Sequence, residues 1–105
     1  MQHKFSRFEK IIGIDNIQNL ANKSVLILGV GGVGGYVTEA LARSGVGTLI
    51  LVDFDIIDVT NINRQIIALT STIGMKKVDV LENRVKDINP DCNVIKIDDF
   101  IDSNN

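Results

Sequence analysis

The chain has 105 residues, of which 45% are apolar and 23% charged, with 11 Lys and Arg against 13 Asp and Glu and a formal net charge of -2. That length holds at most one domain, the slight acidity offers no general basic field for nucleic acid, and no apolar run reaches the roughly 20 residues of a membrane span. Cys92 is the single cysteine, which excludes a disulfide framework or a zinc cluster; with no apolar signal segment at the start, the expected compartment is cytoplasmic, without membrane integration.

Residues 1–13 form a mixed, partly basic arm with Lys4, Arg7 and Lys10. Ile14, Ile17 and Leu20 recur at helical spacing and predict a short helix. The run at 25–28 is β-branched and Leu-rich, as in a strand buried on both faces. Val33, Val37, Ala40 and Leu41 make one apolar stripe of a helix over 33–44, and Gly45 is placed to end it. A second buried strand is expected at 48–52. Residues 53–72 are irregular and polar, which predicts a long functional loop with at most a short helix. Val78, Leu81, Val85 and Ile88 predict a helix stopped at Asn89-Pro90, and 94–97 reads as a third strand.

The order β-α-β-α-β predicts an α/β fold, a Rossmann-like doubly wound parallel sheet of which only the N-terminal half is present. Residues 1–22 would be an N-terminal arm and short helix, and 23–105 the Rossmann-like half. In such a sheet the first strand lies centrally and needs a neighbour on both sides. The expectation is therefore that this is the N-terminal part of a longer protein.

Gly29, Gly31 and Gly34 satisfy G-x-G-x-x-G directly after the first strand, and Gly32 and Gly35 add to the cluster. Such a turn aims backbone N–H groups from a helix N-terminus at a phosphate. Asp53 ends the second strand about 20 residues on, where a ribose-binding carboxylate belongs. An adenine nucleotide is the expected ligand; NAD and ATP fit these residues equally well.

Two cations bear on that choice. Arg64, in the loop after the second strand, and Lys77, near the first turn of the next helix, both fall on the carboxyl edge of the sheet with the glycine turn. A cation at a helix N-terminus opposes the helix dipole unless an anion sits there. Cations suit a triphosphate whose pyrophosphate must leave. The plainer alternatives are a surface ion pair of Arg64 with Asp55 or Asp58, and a solvated Lys77 beside Asp79 and Glu82. Asn61 and Asn63 are equally good turn-shaping residues, and Lys76 is as able as Lys77 to reach a phosphate.

Taken together, the glycine motif at 29–34, Asp53-Phe54-Asp55, the string Asn61-Ile62-Asn63-Arg64-Gln65 and Lys77 after Ile73-Gly74 closely resemble the ubiquitin-activating-like superfamily of ThiF, MoeB and HesA. The resemblance runs from Arg7 to Phe100. It implies an enzyme that adenylates a carboxylate with ATP and Mg2+. The glycines would approach the phosphates, Asp53 would hold the ribose, and Asn61, Arg64 and Lys77 would contact phosphates and stabilise the transition state. Residues 39–47, 60–69 and 87–92 resemble the tRNA-modifying branch, which implies cyclising dehydration of threonylcarbamoyladenosine in tRNA. The alternative within the family is adenylation of the C-terminus of a ubiquitin-like sulfur carrier.

The family also implies a homodimer in which an N-terminal arginine reaches across; here that end of the motif is Lys10, which lacks the bidentate fork. Its magnesium-binding aspartate would lie beyond the third strand, so no residue of this chain is assigned to metal, and the 105 residues alone are expected to be inactive. A NAD-dependent oxidoreductase and a non-catalytic nucleotide-binding module are the readings from other classes. His3 is expected to be irrelevant, Cys92 a passive, partly buried thiol, and Asp98, Asp99 and Asp102 members of a solvated loop.

Overall fold

Three strands, β1 (Ser24–Leu28), β2 (Thr48–Val52) and β3 (Asn93–Ile97), pair in parallel in the order β1-β2-β3. The structure, a computed structural model, describes residues 4–99; the expectations for His3 and Asp102 lie outside them. Helices α1 (Ser6–Ile12) and α2 (Ile14–Ala21) precede the sheet, α3 (Val33–Arg43) joins β1 to β2, and α4 (Lys77–Ile88) leads into β3. The fold is α/β and Rossmann-like.

The register sets Leu26, Ile50 and Ile95 side by side on one face, with the alternate positions on the other. That other face supplies Ile27, Leu49 and Leu51 to a core completed by Ala42 of α3 and Val78, Leu81 and Val85 of α4. Each fully buried aliphatic side chain contributes about 1.5–3 kcal/mol. The first face is open: Leu26 is 55% exposed, Leu28 59% and Ile95 44%. The strand at 25–28 is thus covered on one face only, contrary to the expectation from its unbroken apolar run. Both connecting helices contribute to the same core, and among the described residues no helix packs on the opposite face.

Helix α3 buries a face shifted from the predicted one, of which Leu41 still packs against the core. Val33 is 78% exposed and Val37 41%, whereas Gly35, Thr38 and Ala42 are buried. The cause is the glycine pair. A Cβ on Gly34 would stand 1.9 Å from Gly29 O, and one on Gly35 would stand 2.9 Å from Val30 O. The side with no side chains is the side that can approach the turn, and Thr38 turns inward because its hydroxyl donates to Gly34 O at 2.8 Å. The C-terminus follows expectation. Val46 N donates to Leu41 O at 3.2 Å and Gly45 N to Ala42 O at 3.3 Å, the paired bonds of a Schellman cap.

Helix α4 matches its predicted stripe, with Val78, Leu81 and Val85 buried. It is tied to α3 through Glu39, whose Oε1 accepts from Arg84 at 3.1 Å and Arg43 at 2.9 Å. Helix α1, read from sequence as part of an arm, buries no residue of its own. It is anchored at its start, where the Phe5 ring lies over Gly45 and Lys4 donates to Asn89 Oδ1. A helix held by its entry has no apolar stripe to betray it.

Candidate functional site

The glycine turn begins where Gly29 N donates the last sheet bond to Val52 O, at 2.8 Å. Gly29 and Gly32 have φ of 81° and 52°, so the backbone reverses twice before α3 starts. The N–H groups of Gly31 and Gly32 have no hydrogen-bond partner among the described residues. At the N-terminus of α3, unpaired N–H groups are suited to an anion.

Asp53 is 8% exposed and holds this turn. Its Oδ2 accepts from Val30 N at 2.9 Å and its Oδ1 from Asp55 N at 2.8 Å. Each oxygen keeps a second lone pair for a ligand hydroxyl. Asp53 lines a cleft of about 380 Å³ with Leu28, Gly29, Val52, Phe54, Asp55 and Asp99. Asp99 is exposed, as expected of a solvated loop, and also lines the cleft.

The long loop is built from two short 3-10 turns, Val59–Asn61 and Thr70–Thr72. Asp58 caps the first: its carboxylate accepts from Thr60 N at 3.1 Å, while Asn61 Oδ1 accepts from Asp58 N at 2.8 Å, a reciprocal capping box. The Thr60 hydroxyl, donating to the Asp58 carboxylate, holds its pKa below the usual value. Asn61 is 7% exposed, and its carbonyl oxygen is committed to the turn; only the amide nitrogen is left for a ligand. At its base the loop closes through Ile57 N to Met75 O and Gly74 N to Ile57 O, both 2.8 Å.

That closure brings Lys77 back beside the cleft. Its N–H donates to Asp55 O at 3.1 Å, its Nζ lies 3.8 Å from Asp55 Oδ2, and the residue is only 7% exposed. The solvated alternative does not hold, for it is Lys96 that pairs with Asp79 at 2.9 Å and Glu82 at 3.1 Å. Lys76 is exposed and bonds Asp98. Arg64 is exposed and forms no ion pair among the described residues, so the alternative of a surface pair with Asp55 or Asp58 is not seen. Lys10 is exposed on α1.

Gln65 was not singled out by the sequence as a site residue. It is 6% exposed, and its carboxamide lies against Gly31. No periodicity or charge pattern marks it; its place inside the Asn61-to-Gln65 string is the one available signal. Cys92 is fully buried, and desolvation pushes its pKa up despite Lys86 nearby, so the thiol is inert as expected. Among the described residues no group of three or more His, Cys, Asp and Glu could hold a metal ion, and no helix is long and apolar enough to cross a membrane.

The profile of the ThiF family matches residues 5–105. The chain belongs to the ThiF family. It is 54% identical over 100 residues to a tRNA threonylcarbamoyladenosine dehydratase of Bacillus subtilis, covering 95% of this chain and 39% of that protein. Identity to a probable adenylyltransferase/sulfurtransferase, MoeZ, of Mycobacterium tuberculosis is 38% over 79 residues, covering 75% of this chain and 20% of that one. The E. coli tRNA N6-threonylcarbamoyladenosine dehydratase TcdA in complex with ATP superposes with a TM-score of 0.91 at 41% identity, over 93% of this chain and 40% of that chain. The chain thus spans about 40% of the dehydratases it resembles.

Proposed function

We propose that the protein to which this chain belongs binds ATP and adenylates the carboxylate of the threonylcarbamoyl side chain on a modified tRNA adenosine. The observation that carries this reading is the convergence of unpaired glycine-turn N–H groups, a cation-bearing loop and the buried Lys77 on one edge of the sheet. A dinucleotide site has no need of Arg64 or Lys77; a departing pyrophosphate does. Asp53 takes the ribose, and the turn N–H groups and the α3 dipole take phosphate. The carboxylate oxygen attacks the α-phosphorus, and the bond to pyrophosphate breaks beside Arg64 and Lys77. A nucleophile of the same nucleoside then attacks the acyl carbon, AMP leaves with the former carboxylate oxygen, and the ring closes with net loss of water.

The tRNA substrate is supported by the higher identity, over more of the chain, to the dehydratase than to the sulfurtransferase-type relative. Magnesium is proposed as the companion of ATP; the described residues offer it no cage of their own. A homodimer in the cytoplasm is the proposed setting; the exposed Val33, Tyr36 and Val37 of α3 give it an apolar stripe to bury.

ATP–pyrophosphate exchange by the full-length protein tests the chemistry. Exchange stimulated by threonylcarbamoylated tRNA is expected. Stimulation by a sulfur-carrier protein instead would move the substrate to the other branch, and no exchange under any condition would point to a NAD enzyme or a binding module.

A further inference from the structure

Gln65 is packed as if it belonged to the glycine turn. A Cβ on Gly31 would stand 2.7 Å from Gln65 Oε1 and 2.9 Å from both Cδ and Nε2. Three nearly equal distances mean that the carboxamide lies face-on over Gly31. One residue on, Ile66 Cγ2 would meet a Cβ on Gly35 at 3.0 Å. The loop that carries Asn61 and Arg64 is thus docked on the glycine turn through Gln65 and Ile66.

The main chain of Gln65 is fully used, its N–H donating to Asn61 O at 2.9 Å and its carbonyl accepting from Ala68 N at 3.0 Å. The side chain is not. Oε1 is buried and has no hydrogen-bond partner among the described residues. A methionine would fill the same space with no polar atom to strand, and replacing a buried unpaired polar group by an apolar one of like shape is neutral or stabilising. Stability alone therefore does not explain an amide here. Beside it the Gly31 and Gly32 N–H groups are likewise unpaired among the described residues.

We propose that Gln65 is a positioning residue of the nucleotide seat. Its Nε2 donates to a phosphate oxygen of the bound nucleotide, and so sets the spacing between the turn and the loop bearing Arg64. This rests on the reading of the site as an ATP site.

The test uses the full-length protein, with ATP binding followed by calorimetry and thermal unfolding followed without nucleotide. Gln65→Met is expected to leave the nucleotide-free melting temperature unchanged or raised while weakening ATP binding about tenfold, the size of one lost hydrogen bond. A variant that melts normally and binds ATP within twofold of the wild type overturns the proposal. If Gln65→Met does not fold, Gln65→Glu carries the test. Its charge opposes the phosphates, so its ATP affinity should fall at neutral pH and recover as the pH is lowered. Wild-type affinity and an unchanged pH profile in that variant overturn the proposal. A wild-type protein that binds no ATP overturns the ATP reading itself and this inference with it.

Discussion

The Asp53 carboxylate accepts a hydrogen bond from the Val30 N–H at 2.9 Å, joining the end of β2 to the glycine turn at the end of β1. With Asp55 N at 2.8 Å on its other oxygen, the carboxylate organises the seat before any ligand arrives. The acid that the sequence marks for a ribose is also the structural pin of the phosphate turn.

Asp53→Asn separates these roles poorly, and that is the prediction. An amide presents an N–H2 to one of two backbone donors, leaving a buried N–H unpaired at a cost of about 1–3 kcal/mol. Urea denaturation of the full-length protein should show this loss alongside weaker ATP binding. An unchanged midpoint would mean that the turn does not depend on Asp53.

Arg64 and Lys77 should behave differently from Asp53. Arg64 is exposed and unpaired among the described residues, so Arg64→Ala should alter stability by no more than about 0.5 kcal/mol. Pyrophosphate exchange should nonetheless fall on the order of 100-fold, the scale for losing one transition-state charge contact. Lys77→Ala should match it in exchange. If both variants exchange at the wild-type rate, the cations are misassigned.

Gly34→Ala places a methyl 1.9 Å from Gly29 O, a backbone atom that cannot swing aside as a side-chain end would. Overpacking of this kind costs about 1–3 kcal/mol or more. The melting temperature should drop clearly, whereas an alanine at Gly13, which meets nothing within 4 Å, would be strained only by its φ of 86°.

Glu39 gives the fold an acid-sensitive joint. Burial alone would raise its pKa, but hydrogen bonds and charge from Arg84 and Arg43 outweigh that and hold it below the ordinary 4.5. A lowered folded value means that its contribution is complete above pH 4.5 and is lost as the pH falls through the folded value. Glu39→Gln should therefore be less stable than the wild type at neutral pH, with the gap narrowing on acidification below pH 4.5. Thermal melts across that range check it, and a constant gap would rule out the titration.

Local order was legible because it is written in local terms. The 25–28 run, the G-x-G-x-x-G turn and the 78–88 periodicity each specify an element from neighbouring residues, and Gly45 ends α3 as its position implied. The candidate residues Gly29, Gly31, Gly32, Gly34 and Asp53 were chosen from the same spacing. What sequence alone could not decide were facts about approach and partnership. The buried face of α3 is chosen by two glycines that add nothing to an apolar stripe, because closeness to the turn outweighs hydrophobicity there. Lys77 lies beside Asp55 and not Asp79 because closure of the 24-residue loop between β2 and α4 delivers it, and Lys96 of β3 takes the nearer acids. Gln65 acquired its role only when the loop folded back onto Gly31. Elements form from contacts within a few residues; the pairing of charges and the stranding of one amide oxygen depend on groups far apart in the chain, and only the tertiary structure brings those together.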